Sequence, residues 1–251
     1  RMGAKIHLPC VNRSDYLTTL NGRTIFMGFV HLQGIEQQFV ERFLAERAAR
    51  GPFDSLEDFV ARVSFKLEQL VLLIRGGAFD FTRKPKAELL WQAHLSKSDG
   101  KKEQPETLFK LENQHFEFPD FKTNALQNAY DEMELYGFPV SMTWFDLLKT
   151  NFRGELMACQ MLNFVGQRYR MLGKLVTVKN FRTCKGEPMA LATFIDATGE
   201  AFDTVLFPQV FKNYPFQGDG VYLLLGKVTE EFGQASLQVE KMERMGYKTL
   251  E

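Results

Sequence analysis

The chain has 251 residues, of which 45% are hydrophobic and 25% are charged, and its formal net charge is zero. This length is roughly that of two domains, and the composition is that of a soluble globular protein. No run of 18 apolar residues and no signal-like apolar core is present, so neither a membrane span nor export is expected. The three scattered cysteines, without CxxC spacing, favour a reducing cytoplasm and argue against a disulfide framework or a zinc site.

The charge is distributed unevenly along the chain. Residues 1–97 carry 14 basic and 10 acidic side chains, residues 98–167 carry 6 and 11, and residues 168–251 carry 11 and 10. A basic start, an acidic middle and a balanced end predict three segments: a helical domain at 1–97, a linker with a connecting helix at 98–167, and a second domain at 168–251.

Residues 1–97 show the periodicity of an all-α domain. In "QGIEQQFVERFLAERAARGPF", apolar residues recur at helical spacing until Gly51 and Pro52 stop the helix. "SLEDFVARV" begins with a capping pattern at Ser55, and "SFKLEQLVLLI" ends at a glycine pair. "KAELLWQAHL" is a further helix, with Pro85 in its first turn.

Two glycine turns between these helices are candidate phosphate sites, because backbone N–H groups at a helix N-terminus bind anions. Such a helix-hairpin-helix contacts the DNA backbone without reading its sequence. Plain helix capping is the alternative explanation of both turns. The candidate residues for contact with duplex DNA are Gly34, Arg75, Gly76, Gly77, Arg83 and Lys84.

Residues 168–251 change to the period of strands. Five strand-like runs, with one short helical segment between the third and fourth, predict a small oligonucleotide-binding (OB-fold) barrel. The loop joining its first two strands is basic and carries an aromatic ring, as single-strand binding requires. The candidate residues for single-stranded DNA are Lys179, Phe181, Arg182 and Lys185, with Phe194 on the second strand.

No catalytic centre is expected from the sequence. It has no pair of carboxylates at a spacing suited to two metals, no phosphate-binding GxxxxGK[ST] and no nucleophile motif. We therefore predict no catalytic residue, no metal ligand and no cofactor.

Several long strings resemble the bacterial replicative DNA polymerase III alpha subunit, in the part that follows its catalytic core. They are "LPCVNRSDY", "GFVHLQGIEQQFVERFLAERAARGPFDSLEDFVARV", "LIRGGAFD", "ELYGFPVS" and "RTCKGEPMALATFIDATGEAFDTVLFPQVFKNY". The resemblance implies an α+β multidomain chain, with a tandem helix-hairpin-helix domain followed by the five-stranded barrel. The family is a DNA-directed DNA polymerase, a nucleotidyltransferase. The catalytic palm is missing here, which implies a non-catalytic C-terminal portion.

The resemblance also implies partners. Between its helical region and its barrel the family carries a sliding-clamp-binding peptide of the type Gln-x-x-Leu-Phe. "QPETLF" places Gln104, Leu108 and Phe109 in that role, with one residue more than this type between Gln and Leu. The expected partners are duplex and single-stranded DNA, the sliding clamp (beta subunit) and other replicase subunits, in the cytoplasm. In the first hairpin Glu36 stands where the family usually has a second glycine, so the Gly76-Gly77 turn is expected to carry more of the duplex contact.

Three other functions fit the same patterns. An RNA-binding module such as the barrel of an aminoacyl-tRNA synthetase would prefer structured RNA to single-stranded DNA. A protein scaffold whose barrel binds peptide would show no salt-dependent nucleic-acid binding. A catalytic fragment would show Mg²⁺-dependent polymerase or nuclease activity.

Overall fold

The computed structural model describes residues 4–99 and 124–250. The chain forms two compact units, Arg1–Ser141 and Met142–Glu251. The connecting helix belongs to the first unit, and the residues from Met142 onward belong to the second. The predicted borders at residues 97 and 167 stay predictions.

The first unit begins with a small sheet that the sequence analysis did not predict. Its strands are β1 (Lys5–His7), β2 (Thr19–Asn21) and β3 (Thr24–Phe26), in the order β1-β3-β2. β1 runs parallel to β3, and β2 runs antiparallel to it. Each strand has only three residues, which is too short for an alternating pattern to be recognised. The all-α description of residues 1–97 therefore holds only after this sheet.

Helices form the rest of the first unit, largely where periodicity predicted them. They are α1 (Gln37–Arg50), α2 (Leu56–Arg62), α3 (Leu67–Arg75), α4 (Lys86–Asp99) and α5 (Ala125–Tyr136), with 3-10 helices at Phe29–His31 and Asp80–Thr82. Ser55 caps α2 by accepting the Asp58 N–H at 3.1 Å, as the capping pattern predicted. α1 ends at Gly51, which has a φ of 84°.

Phenylalanine rings fill the core of this unit. The ring of Phe59 lies 4.8 Å from that of Phe53 and 5.2 Å from that of Phe79, both edge to face. Phe43 meets Phe29 in the same way at 5.1 Å. Burying each ring contributes roughly 1.5–3 kcal/mol. The apolar stripes of α1 and α2 therefore hold the domain together.

Hydrogen bonds of the residues in "LPCVNRSDY" hold the loop after β1 against these helices. The Asn12 amide exchanges two hydrogen bonds with the backbone of Phe53, each of 2.8 Å. Arg47 of α1 donates to the carbonyls of Val11 at 3.0 Å and Ser14 at 2.7 Å. The polar residues of this string that form these bonds have a structural role.

The second unit contains the predicted barrel. Its strands are β4 (Arg168–Arg182), β5 (Pro188–Ile195), β6 (Ala201–Leu206), β7 (Val221–Glu231) and β8 (Gln234–Arg244), and α6 (Pro208–Asn213) lies between β6 and β7. The barrel closes in the order β4-β5-β6-β8-β7. β6 and β8 run parallel, and the other neighbours run antiparallel. Five strands with a helix after the third confirm the OB-fold prediction.

Gly173 lets β4 bend across the barrel. A Cβ atom at this position would lie 2.7 Å from the Cβ of Phe194 and 2.8 Å from the ring of Phe202. Both phenylalanines are buried in the barrel core. Only glycine leaves room for these two rings beneath the curved strand.

Asp196 ties the turn after β5 to the 3-10 helix Ala158–Phe164. Its carboxylate accepts the Ala158 N–H at 2.8 Å, the Thr198 N–H at 2.9 Å and hydroxyl at 2.6 Å, and the Glu200 N–H at 3.0 Å. Burial alone would raise the pKa of Asp196, but these hydrogen bonds outweigh it and hold the pKa below its usual value.

We expect Asp196→Ala to lower the free energy of unfolding of the second unit by roughly 3 kcal/mol at pH 7, because buried donors lose a charged acceptor. The folded-state pKa is depressed, so the stabilisation is present above the unfolded value of about 3.9 and is lost as the pH falls through the folded value. Urea unfolding at pH 7 and at pH 3 would test this. If the unchanged protein and Asp196→Ala differed in free energy of unfolding by the same amount at both pH values, the prediction would be wrong.

Candidate nucleic-acid interface

The β4–β5 hairpin presents the predicted basic loop. Its turn is closed by the N–H of Gly186 donating to Thr183 at 2.8 Å and by the N–H of Thr183 donating to Glu187 at 2.8 Å. Arg182 and Lys185 are exposed in this turn. The Lys179 ammonium lies 5.1 Å from the centroid of the Phe181 ring, within cation–π range. Three cations and one ring therefore lie on one short hairpin.

The strand register places this ring on the outer surface of the barrel. Ala190, Ala192 and Phe194 of β5 are buried, so the residues between them face outward. Phe181 pairs with Met189, and Lys179 pairs with Leu191, which in turn pairs with Val205 of β6. Leu191 is 40% exposed. The outer face thus offers an apolar row next to the hairpin, on which a base can stack.

The structure corrects the assignment of Phe194. Its side chain has no exposed surface, and its ring lies 5.7 Å from that of Phe202 inside the barrel. It therefore belongs to the core and is not available to stack on a base. Alternation along β5 places Phe194 inward, whereas Phe181 of β4 lies on the outer face.

The Gly34 turn lies at the N-terminus of α1 and is exposed, with a φ of +82° at the glycine. The buried Gln69 of α3 fixes its shape by donating to the Gly34 carbonyl at 3.1 Å and accepting the Glu36 N–H at 2.7 Å. The Glu36 carboxylate pairs with the Lys66 ammonium at 2.7 Å. Lys66 precedes the first residue of α3. The N-termini of α1 and α3 are therefore linked side by side.

The predicted Gly76-Gly77 turn does not lie at the N-terminus of α3, which instead follows the 63–66 hairpin, the connection between α2 and α3. The glycine pair follows the C-terminus of α3, and the N–H groups of Gly76 and Gly77 donate to the carbonyls of Leu72 and Ile74. Both glycines are buried, and the Tyr136 hydroxyl donates to the Gly76 carbonyl at 2.6 Å. The C-terminal end of a helix carries negative partial charge, so this turn repels phosphate.

Arg75 is also engaged inside the first unit. It contacts Asp131 at 2.7 Å and Glu134 at 2.5 Å, and Asp131 is buried. The hydrogen bond with Glu134 and the charge of Asp131 raise the pKa of Arg75 despite its burial. Lys84 lies 3.3 Å from Glu88 and 3.5 Å from Glu57, whereas Arg83 is exposed. Among the three basic residues predicted to contact duplex DNA, Arg83 is exposed to solvent and Lys84 pairs with glutamates. Arg75 instead holds α3 against α5.

The predicted clamp-binding residues Gln104, Leu108 and Phe109 lie outside the described residues. Within them, no helix is both long and apolar enough to cross a membrane. Sequence reasoning missed Lys66 and Gln69, because the 63–66 hairpin contains no glycine to mark it. It also missed Phe232, an exposed ring between β7 and β8.

The comparisons with known proteins give a family model and a solved structure of a similar domain. Residues 3–89 match the family model of the helix-hairpin-helix motif. The second OB-fold domain of replication protein A from Methanococcus maripaludis is 16% identical, covers 35% of this chain and 91% of its own, and has a TM-score of 0.26. The barrel assignment here rests on the strand order of the chain itself.

Sequence relatives cover nearly the whole chain. DNA polymerase III subunit alpha of Staphylococcus epidermidis (strain ATCC 35984) is 28% identical over 93% of this chain and 22% of its own length. The same subunit of Staphylococcus aureus (strain Mu50) is 29% identical over 98% of this chain and 23% of its own length. The subunit of Aquifex aeolicus is 25% identical over 91% of this chain and 20% of its own length. The chain thus spans about a fifth of the length of these relatives. In sequence it is similar to part of the DNA polymerase III alpha subunits, as its motifs predicted.

Proposed function

We propose that this chain is a non-catalytic, DNA-binding portion of a replicative polymerase that acts in the cytoplasm without a cofactor. The observation that carries the proposal is the β4–β5 hairpin, where exposed cations and the Phe181 ring lie next to an open apolar strand face. Cations bind phosphates and a ring stacks on bases, and neither contact depends strongly on sequence. The outer face of the barrel is therefore suited to single-stranded DNA.

Binding to this face should be weak and sensitive to salt. Residues 168–251 carry 11 basic and 10 acidic side chains, so the barrel has almost no net attraction for DNA. On the outer face, Asp203 accepts a hydrogen bond from Thr193 at 2.6 Å and adds a negative charge. Affinity then depends on the local cluster of the hairpin and on stacking.

Duplex DNA is proposed to contact the paired hairpins at 32–36 and 63–66. Two helix N-termini next to each other can hold phosphates through backbone N–H groups. Lys66 belongs to the 63–66 hairpin, and its side chain is 67% exposed. Its ion pair with Glu36 competes with phosphate.

Glu36→Gln is expected to strengthen duplex binding about threefold at low salt, because it releases Lys66 and removes a carboxylate from the N-terminus of α1. Fluorescence anisotropy of a labelled duplex measures this affinity. Glu243→Gln makes the same charge change on the exposed end of β8 and is the matched control. Equal affinity of Glu36→Gln and the unchanged protein would mean that Lys66 does not contact the duplex.

Contact with the sliding clamp through Gln104, Leu108 and Phe109 is a further proposal. It is supported by the sequence of "QPETLF" and by its place in the acidic segment 98–167, which precedes the barrel in the sequence. Such a peptide would keep the polymerase on DNA and so support processive synthesis. Contacts with other replicase subunits are proposed on the resemblance alone.

A titration with labelled single-stranded DNA, duplex DNA and structured RNA at two salt concentrations tests the proposed function. We expect weak, salt-dependent binding of DNA without sequence preference. Preference for structured RNA would favour the synthetase-type module, and no salt-dependent binding would favour a protein scaffold. Mg²⁺-dependent polymerase or nuclease activity would contradict the non-catalytic assignment.

A further inference from the structure

The connection between β7 and β8 extends beyond the strands that flank it. β4 pairs with β7 as far as Lys227, and β6 pairs with β8 from Ser236 onward. Between these points Glu230 pairs with Ala235, and Glu231 pairs with Gln234. In the strand register of the described chain, residues 230–235 therefore pair only with each other. We call these residues the β7–β8 tip.

An aromatic ring occupies the end of this tip at a conformational cost. Phe232 is 104% exposed, more than in an extended chain, and has a φ of +54°. Gly233 follows with a φ of +80°, so both central residues of the two-residue loop are left-handed. Such a loop prefers Asn-Gly, and a bulky residue is strained there. Neither burial nor turn geometry explains a phenylalanine at this position, which points to a contact outside the chain.

The surroundings of the ring are acidic and apolar. Glu230 and Glu231 are exposed, and Glu230 fixes the loop by accepting the Gly233 N–H at 2.5 Å. No lysine or arginine occurs in residues 228–237; at the base of the tip Lys227 is exposed, and Arg168 pairs with Glu240 at 2.8 Å. Next to the base of the tip, the Gly166 N–H donates to the Val228 carbonyl at 2.8 Å. Two large apolar side chains on that neighbouring segment are exposed, Leu162 by 57% and Val165 by 45%.

We propose that the β7–β8 tip docks on a partner protein, with Phe232 inserted into an apolar pocket whose rim carries lysine or arginine. Charge decides between the two classes of partner. The carboxylates of Glu230 and Glu231 repel the phosphates of a nucleic acid, whereas they pair with basic residues on a protein. A fully exposed ring with an apolar neighbourhood is suited to act as an interface anchor.

This surface is separate from the proposed single-strand site. The tip leaves the barrel next to the pairing of Arg168 with Lys227, at the opposite end of β4 from Arg182. The inference does not depend on whether the β4–β5 hairpin binds DNA.

Photo-crosslinking in the full-length protein tests the proposal in its own cells. With p-benzoylphenylalanine in place of Phe232, we expect an adduct with one protein, mapped by mass spectrometry to an apolar patch flanked by lysine or arginine. Glu230→Lys with Glu231→Lys should reduce the adduct at least tenfold, and reversing the mapped basic residues of the partner to Glu should restore it. The same photoreactive residue in place of Lys241, exposed on β8, is the control position.

Three results would overturn the proposal. They are an adduct with nucleic acid, an adduct that is insensitive to the charge reversals, and a yield no higher than at position 241. Phe232→Asn separates docking from folding, because Asn suits the left-handed turn position. It should keep or raise the melting temperature while it lowers affinity for the mapped partner at least tenfold. Undiminished affinity of this variant would also contradict the proposal.

Discussion

Replacing Arg182 and Lys185 together by glutamate is expected to weaken binding of single-stranded DNA at least tenfold at low salt. Both side chains are exposed on the β4–β5 hairpin, next to the ring of Phe181. Each phosphate contact with a single strand adds about 0.7 to the slope of log affinity against log salt. Losing two contacts should therefore lower the magnitude of this slope by about 1.4. Anisotropy of a labelled oligothymidylate, titrated at several salt concentrations, gives both quantities.

The matched control reverses two other exposed cations of the same barrel, Lys227 on β7 and Lys241 on β8. This variant has the same change in net charge, so it shows how much of the loss comes from general repulsion. If the strand binds at the β4–β5 hairpin, the hairpin variant should lose clearly more affinity than the control. The slope of its log affinity against log salt should also fall further in magnitude. Equal losses in the two variants would mean that the β4–β5 hairpin is not where the strand binds.

The barrel could be predicted from sequence because each of its strands and turns is marked by a pattern of neighbouring residues. The strands from Arg168 onward alternate or run apolar, and turn residues such as Gly186 and Gly199 separate them. Predicting the position of the basic β4–β5 hairpin required only the order of the strands along the chain. Alternation along β5 places Phe194 inward, whereas the outward facing of Phe181 also needed the register of β4 against β5, which shifts at a bulge between Leu175 and Thr177. One residue of register reverses the face of every side chain.

The helical domain shows the limit of reading turns by their glycines. α1, α2 and α3 follow from helical periodicity and from Ser55, Gly51 and Gly76 at their ends. The hairpin at 63–66 has no glycine, so the visible glycine pair after α3 was mistaken for it. The residues that cover the pair include Leu8 and Tyr136, and Tyr136 of α5 is 60 residues away from Gly76 in sequence. Such long-range contacts leave no local signal in a sequence.

Electrostatic partners were the least predictable part of the site. Glu36 was expected to oppose phosphate, and the structure adds that Lys66 neutralises it across the two hairpins. Arg75 was expected to face DNA, and it pairs instead with Asp131 and Glu134. A charged residue next to a turn has many candidate partners in sequence, and only the packing of helices selects one of them.

Replacing Leu108 and Phe109 together by alanine is expected to nearly abolish binding of the sliding clamp. Burying a phenylalanine ring contributes roughly 1.5–3 kcal/mol, and truncating an interface anchor often costs 2 kcal/mol or more. That energy corresponds to a loss of roughly thirtyfold in affinity for the ring alone. Residues 98–167 carry 6 basic and 11 acidic side chains, so the apolar pair must supply most of the binding. Surface plasmon resonance with immobilised clamp measures the affinity.

The competing interpretation assigns Leu108 and Phe109 to a local hydrophobic face of "FKLENQHFEF". It predicts the reverse pattern, with a lower melting temperature and intact clamp affinity. Measuring both quantities on the same double variant separates the two interpretations, and Gln104→Ala, which removes the hydrogen bond at the rim, should cost less than the apolar pair. Binding of single-stranded DNA should stay unchanged, because the hairpin of Arg182 and Lys185 lies in the second unit. A destabilised variant that still binds the clamp would show that this peptide is part of the fold and not a binding segment.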